Sequence, residues 1–476
     1  MTDEQALIGP VLLLDDLTPA VAELALLVLA RGDAVPPPAV LDGASVAFDR
    51  VATFDRVSVW RAPLRVALPR RFSYRWNGVD YPVALDLSGD CRLAYVSCNG
   101  EEHGDLDRDA DERNVMWKRL AAEHDAAPFA LLLHGGDQIY ADEVKDGHAL
   151  TRDWPVSVPE KPDPAALDGF RAHLRAGFGA RYAALYAMPG FATLAARVPS
   201  LMQWDDHDIC DGWGSLAASI TQSAVGQTLY EVAHAATLAF QHGATPKTMP
   251  ARFGDAAGRH LGWQVKAPGF RILAPDLRGE RQLDRVMGPA GWAFTREAAL
   301  PAEPGHSFLM SSAPLLGPRL SLIERAMRWL PGVQKYEDDL RDQWQSYAHR
   351  AAWIEMLDLV RAMTDDPAAR VTALSGEIHL ATRAEMRFES GKVLHQLVAS
   401  AITHRPPPRA WARALGALAA LGEDPIPRAP IRIHPLPGQR QRYQAERNAL
   451  VLTRTGDAWS AVWLLEQSGT TPPLAL

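Results

Sequence analysis

The sequence is poor in cysteine. Its three, Cys91, Cys98 and Cys210, are too few for a disulfide framework, and their spacing supplies no zinc-binding pair. No apolar run reaches the length of a transmembrane helix, so no membrane span is expected. Basic residues are not in excess: the net charge is −8 and the pI near 6.0. That balance excludes a polyanion-binding face, and with it a specific nucleic-acid surface. The first residues, Met-Thr-Asp-Glu-Gln, are acidic where an export signal needs a basic region. The Arg70-Arg71 pair lies too deep to be a twin-arginine signal. These absences together predict a cytoplasmic protein. What is present is a chain of 476 residues, 47% hydrophobic and 22% charged. That is the profile of a globular protein long enough for two domains. Nothing in it specifies the oligomeric state.

Residues 1–88 read as a β-rich accessory unit. Val57–Trp60 and Arg65–Leu68 have strand character, and Phe72–Trp76, Asn77-Gly78 and Tyr81–Leu85 spell a hairpin. Ala22–Leu29 fits helix or strand. From Cys91 onward, apolar runs alternate with helical stretches at roughly 166–196, 215–241 and 337–364. The runs are Leu93–Val96, Phe129–Leu133, Leu201–Trp204, Phe270–Leu273, Val371–Leu374 and Leu394–Val398. This alternation predicts a layered α/β core over residues 89–476. The proline-rich stretch Pro301–Gly332 reads as a lid or a packed surface insertion, and Ala449–Leu465 as a closing hairpin.

Four polar stretches follow predicted strands, where open α/β sheets build their sites. They are Ser97-Cys98-Asn99-Gly100, Asp137 to Asp142, Trp204 to Asp211, and Ser375-Gly376-Glu377-Ile378-His379. In the second, Gly135-Gly136 permits a sharp turn next to an ion or a phosphate. Carboxylates, a phenol, a thiol and imidazoles are donors for hard and borderline metals. A carboxylate bridging two metals is a recurrent way to activate water for phosphoester cleavage. A histidine beside them can protonate the leaving group.

Gly-Asp-Gln-Ile-Tyr-Ala-Asp, Trp-Asp-Asp-His-Asp and Ser-Gly-Glu-Ile-His resemble the signature blocks of PhoD-like metallophosphatases, within the calcineurin-like phosphoesterase superfamily. Ser97-Cys98-Asn99 is similar to the family's opening block. Asp276-Leu277-Arg278 is similar to its Asp-x-Arg block, and Asp342-Gln343-Trp344 with Tyr347 and Arg350 to its Asp-x-Trp-x-x-Tyr helix. The resemblance runs over roughly residues 90–405 in family order. It implies a four-layer αββα core of two packed β-sheets behind an N-terminal β-sandwich-like domain. It further implies hydrolysis of phosphodiesters and/or phosphomonoesters by a metal-activated water, with a small-molecule phosphate ester as substrate. Cys98, Asp137, Tyr140 and His379 would surround a ferric ion, Asp137 would bridge to calcium, and manganese, zinc or magnesium are alternatives. Asp206 and Glu377 complete the expected metal set. Asp205 and His207 are the catalytic expectations, and Arg278 and Asn99 the substrate-binding ones.

Each assignment has a plainer rival. Cys98 fits a buried thiol and Tyr140 a packed aromatic. Asp205 and Asp208 fit loop anchors, and Arg278 fits a structural ion pair. His134 reads as a loop-fixing residue. Glu377 stands where relatives carry aspartate, and Asp208 where many carry glutamate. Those departures support the alternative of a metal-binding or regulatory module without turnover.

Overall fold

Short apolar runs form the middle of the structure because both their faces are covered. Leu131–Gly135 and Ser200–Gln203 are buried along their whole length and pair in parallel. Cys91–Val96 pairs in parallel on the other side of Leu131–Gly135. The computed structural model describes residues 6–318 and 343–476. Among these, the three strands lie in an 11-stranded sheet, facing an 8-stranded one. In the second sheet Phe270–Ala274, Gly305–Met310, Ala369–Ser375 and Val393–Ala399 run in parallel.

Strand alternation decides what each face meets. Phe270, Ile272 and Ala274 enter the core between the sheets, whereas Leu273 enters the cluster on the helix side. Indole hydrogen bonds stitch sheet to sheet: Trp263 donates to the Met202 carbonyl at 2.8 Å, and Trp463 to that of Val398 at 2.9 Å. Each such bond is worth about 1 kcal/mol net and costs more if left unmade. Outside the first sheet lie helices Ala110–Ala126, Pro164–Tyr186 and Ala224–Ala236, burying Trp117, Phe170, Phe178 and Leu229. Asp109, Asp163 and Ser223 cap them, the second with proline in its first turn. Outside the second sheet, Pro289–Ala299 and Arg350–Ala362 cover Leu273 and Val371, largely through Trp292, Trp353 and Leu357. The architecture is the expected four-layer αββα fold of two packed sheets.

All six predicted core strands are present. Ala22–Leu29 resolves as strand Val21–Arg31. The predicted hairpin joins Arg70–Trp76 to Val79–Leu85, with Asn77 at φ 48° and Gly78 at φ 79°, the positive pair a two-residue turn requires. The sheet, however, does not stop at residue 88. Leu7–Leu17 pairs in parallel with Ser200–Gln203, Leu13 opposite Ser200, and Val21–Arg31, Val57–Ala67 and Asp49–Phe54 extend it outward. A 4-stranded sheet containing the hairpin contributes Phe72, Tyr74 and Trp76 to the same core.

Pro301–Gly332 also requires correction. Gly305–Met310 is an interior strand between Phe270–Ala274 and Ala369–Ser375, neither lid nor surface insertion. Its histidine and serine disguise it: His306 is buried and meets the Thr372 hydroxyl at 2.8 Å. Residues 319–332, Asp342 and the start of the predicted 337–364 helix lie outside the described residues.

Candidate metal centre

The loops leaving the parallel strands of both sheets converge at one end. Ser97 Oγ donates to the Ala399 carbonyl at 3.0 Å, and Cys98 Sγ lies 3.0 Å from Ser400 Oγ. Ser312 Oγ, just past Gly305–Met310, donates to Asp205 Oδ1 at 2.8 Å. Cys98, Asp137, Glu377 and His379 have φ of 54°, 54°, 68° and 53°. The left-handed region is unfavourable for such side chains, by about 1–2 kcal/mol per residue. Four of them at adjoining strand ends mark a place where geometry is held against local preference.

Gly136 makes the closest turn. Its φ is 111°, and a Cβ there would lie 2.7 Å from Asp205 Cβ. Gly136→Ala is therefore expected to destabilise the fold by about 1–3 kcal/mol, from backbone strain and overpacking together. Urea unfolding checks this, and an unchanged midpoint contradicts it.

Asp137, Asp205 and Asp206 bring one donor atom each within 4.8 Å of one another. Asp206, His207 and Asp211 do the same, so Asp206 belongs to both groups. Asp137 is 1% exposed, and its Oδ1 has no hydrogen-bond partner among the described residues. Burial pushes the Asp137 carboxyl well above its usual range; His207 pulls it down, while Asp205, Asp206 and Asp208 push it further up. Burial raises Asp208 as well, to about 7. Buried acids crowded this way are favoured in their ionised form only beside a cation. The donor set therefore fits metal ions.

Tyr140 Oη lies 2.9 Å from His379 Nε2, and its ring stacks on His207 with centroids 4.2 Å apart. The Glu377 amide donates to Cys98 Sγ at 3.3 Å. Burial and then Asp137 raise the Cys98 thiol, and burial and then Cys98 raise the Tyr140 phenol. Both are acceptable metal donors once a cation displaces their protons. His207 Nδ1 is 2.9 Å from Asp142 Oδ2. Burial opposes its charge, but Asp142 and Asp206 outweigh it and raise His207 well above the ordinary histidine range.

The other expected residues also have partners within the protein. Arg278 is completely buried: Nε donates to Asp205 and Nη1 to the Trp213 carbonyl at 3.2 Å. It packs against the acids, its Nη2 3.5 Å from Asp206 Oδ1. The ion pairs are with Asp205 and Asp206 rather than neighbouring Asp276. The Asn99 amide donates to the Gln138 carbonyl at 3.3 Å and accepts from Trp117 at 2.9 Å. Asp205 caps the Asp206–Asp208 turn and accepts from Arg278 and Ser312, so it anchors the loop. Glu377 Oε1 accepts from Gln343 at 2.7 Å. His134 fixes its loop through Gln138 and Ser200, at 2.9 and 3.2 Å. Of the helix block, Trp344 donates to Ser311 Oγ at 3.1 Å, and Tyr347 is exposed.

Four residues at the site had no assigned role in the sequence: Asp142, Asp211, Glu102 and His404. Asp142 and Asp211 lie inside the acidic blocks, and a two-shell reading of those blocks would have found them. Glu102, His379 and His404 form a third group with donor atoms within 4.8 Å. His404 follows Val393–Ala399, the one predicted core strand whose succeeding loop lacks an evident acid or aromatic block.

The profile of PhoD-related phosphatases matches residues 101–336. That span includes the two acidic loops and Arg278, and leaves Cys98 and His379 outside. A Saccharomyces cerevisiae protein named as uncharacterized, YGR266W, is 22% identical over 405 residues, 67% of this chain and 57% of its own length. The match thus spans little more than half of that relative. A solved structure of PhoD shares the fold across 99% of this chain and 88% of its own, at a TM-score of 0.56 and 13% identity. No helix among the described residues is long and apolar enough to cross a membrane. By profile over residues 101–336 and by fold along nearly its whole length, the chain is similar to the PhoD-related phosphatases.

Proposed function

We propose that the protein hydrolyses phosphate esters, phosphodiesters and/or phosphomonoesters, using metal ions held at this centre. The observation that carries the reading is the meeting of Asp137, Asp205 and Asp206 within 4.8 Å, beside His207, whose Nδ1 is held 2.9 Å from Asp142 Oδ2. Bound cations polarise phosphoryl oxygens and make a nearby water nucleophilic at neutral pH. Asp142 fixes His207 Nδ1 as a proton carrier and leaves Nε2 to protonate the departing oxygen. Asp205, held by Arg278 and Ser312, keeps the turn bearing His207 in register. Cys98, Tyr140 and His379 with Asp137 suit iron in its ferric state, and the carboxylates of Asp137, Asp205 and Asp206 suit calcium, with Glu377 adding one from the second sheet. Manganese, zinc or magnesium are compatible with the same oxygens. The substrate is a small phosphate ester.

The test is elemental analysis of protein purified without chelator, with turnover of bis-p-nitrophenyl and p-nitrophenyl phosphate before and after chelation. Iron with calcium, and turnover lost on chelation and restored by the ions, is the expected result. Bound metal without turnover on either ester favours a metal-binding or regulatory module. No metal and no turnover overturns the reading.

A further inference from the structure

Helix Arg409–Ala419 carries its small residues inward and its large apolar ones outward. Ala412, Gly416 and Ala419 are buried, the two alanines in the cluster on the helix side of the second sheet. Trp411 is 48% exposed, and Leu421, in the turn that closes the helix, is 67% exposed. Ala410, Ala414 and Ala417 are exposed as well. With Leu421 they recur every third or fourth position, so they form one outward stripe. At 100° per residue, Trp411 and Leu418 stand on one shoulder of that stripe, and Arg409 and Arg413 on the other. One exposed leucine needs no explanation, but an apolar stripe along a helix about 16 Å long does.

The charge around it is of one sign. Residues 405–442 hold seven arginines, no lysine and two acids, Glu423 and Asp424, a basic stretch that the net charge of −8 averages away. Glu423 is buried and lies 3.5 Å from Arg350. Arg405 and Arg428 meet acids, whereas Arg409 donates to the neutral Gln467 at 2.6 Å. Arg413 is exposed and has no partner among the described residues.

The helix also flanks the metal centre. His404, which stacks on His379, leads through Arg405 and three prolines into its first turn. Past its other end, Glu423 holds Arg350, seven residues after the Gln343 that donates to Glu377.

We infer that this face docks the protein on a lipid surface bearing anionic headgroups. Interfacial helices combine Trp and Leu, which settle at headgroup level, with arginines that meet lipid phosphates. Other occupants fit less well. A twofold contact with a second copy sets the same patch on both sides, arginines against arginines. A protein groove takes large anchors at helical spacing, and the stripe offers alanines there. A nucleic acid meets the arginines but leaves the stripe and Leu421 in water. The docking face requires no assignment of the chemistry at the centre.

The test is sedimentation of the full chain with vesicles of two compositions. One is phosphatidylcholine alone, the other two parts phosphatidylcholine to one part phosphatidylserine. Binding to the second and not the first is expected, weakening as salt rises. Arg409→Gln with Arg413→Gln is expected to lower the affinity about twenty-fold, roughly five-fold per arginine. Trp411→Ser, at an exposed position, is expected to lower it too. Circular dichroism checks that each variant is folded, and if one is not, the other decides. No binding to either vesicle, equal binding to both, or binding that the folded variants leave unchanged overturns the inference. Binding of heparin without vesicles overturns it in favour of a polyanion partner. Dimerisation without vesicle binding, abolished by Trp411→Ser, overturns it in favour of a second copy.

Discussion

Asp137→Asn is expected to lose at least one bound metal ion and on the order of a thousand-fold in kcat/KM on bis-p-nitrophenyl phosphate. The variant keeps the size and left-handed backbone position of the side chain and removes only its charge. Asp137 is the acid that adjoins Asp205 and Asp206 on one side and Cys98 and Tyr140 on the other. The neutral amide is therefore a poorer donor to both ends of the centre. Metal ions contribute several kcal/mol to the transition state of phosphoryl transfer, and about 1.4 kcal/mol is a factor of ten. The same change has the opposite sign on the stripped protein. There, burial and the neighbouring acids oppose an ionised Asp137. An amide escapes that penalty, so metal-free Asp137→Asn is expected to melt at or above the temperature of metal-free wild type. Calorimetry with and without chelator checks this. Full turnover with unchanged metal content removes Asp137 from the centre.

His207→Gln is expected to separate substrates by their leaving groups. Alkyl phosphate esters, whose departing oxygen needs a proton, should slow by about 10²–10⁴-fold, whereas p-nitrophenyl esters, whose oxygen leaves as a stable anion, should slow far less. Equal losses on both would make His207 a binding residue instead. The partner variant Asp142→Asn gives a pH signature. Asp142 raises the His207 pKa, burial opposing it, and a proton-donating group loses function as pH rises through its pKa. Removing the Asp142 charge therefore moves the alkaline limb of the rate profile to lower pH.

Much of this was legible in the sequence, for reasons of periodicity. Core strands such as Phe129–Leu133 are apolar throughout because both faces are buried, and the polar residues after them are conspicuous. Gly305–Met310 escaped because Gly, His and Ser dilute its apolar signal and prolines precede it, although pairing on both edges makes it a strand. The parallel seam between Leu13 and Ser200 was illegible in principle, since no local pattern encodes a partner so distant. At the site, residue types that donate to metals were readable from the blocks. Which carboxylates also meet Arg278, Ser312 or Gln343 was not, because those contacts arise only when two sheets meet. His404 was missed for the same reason: its meaning depends on Glu102, some three hundred residues away.

The seam between the first strand and the third core strand also sets a schedule for the chain's synthesis. Leu7–Leu17 emerges well before the edge it joins, which is not made until Ser200–Gln203. At about 5–20 residues per second, that is a delay on the order of ten seconds or more. Cys91–Val96 waits longer still, since its outer neighbour is Asn448–Thr455 near the other end. Two bare strand edges are thus carried by the nascent protein, each a template for wrong partners. The early antiparallel ribbon of Leu7–Leu17, Val21–Arg31 and Val57–Ala67 closes only the opposite edge of Leu7–Leu17 while the partner of the bare one is still being translated.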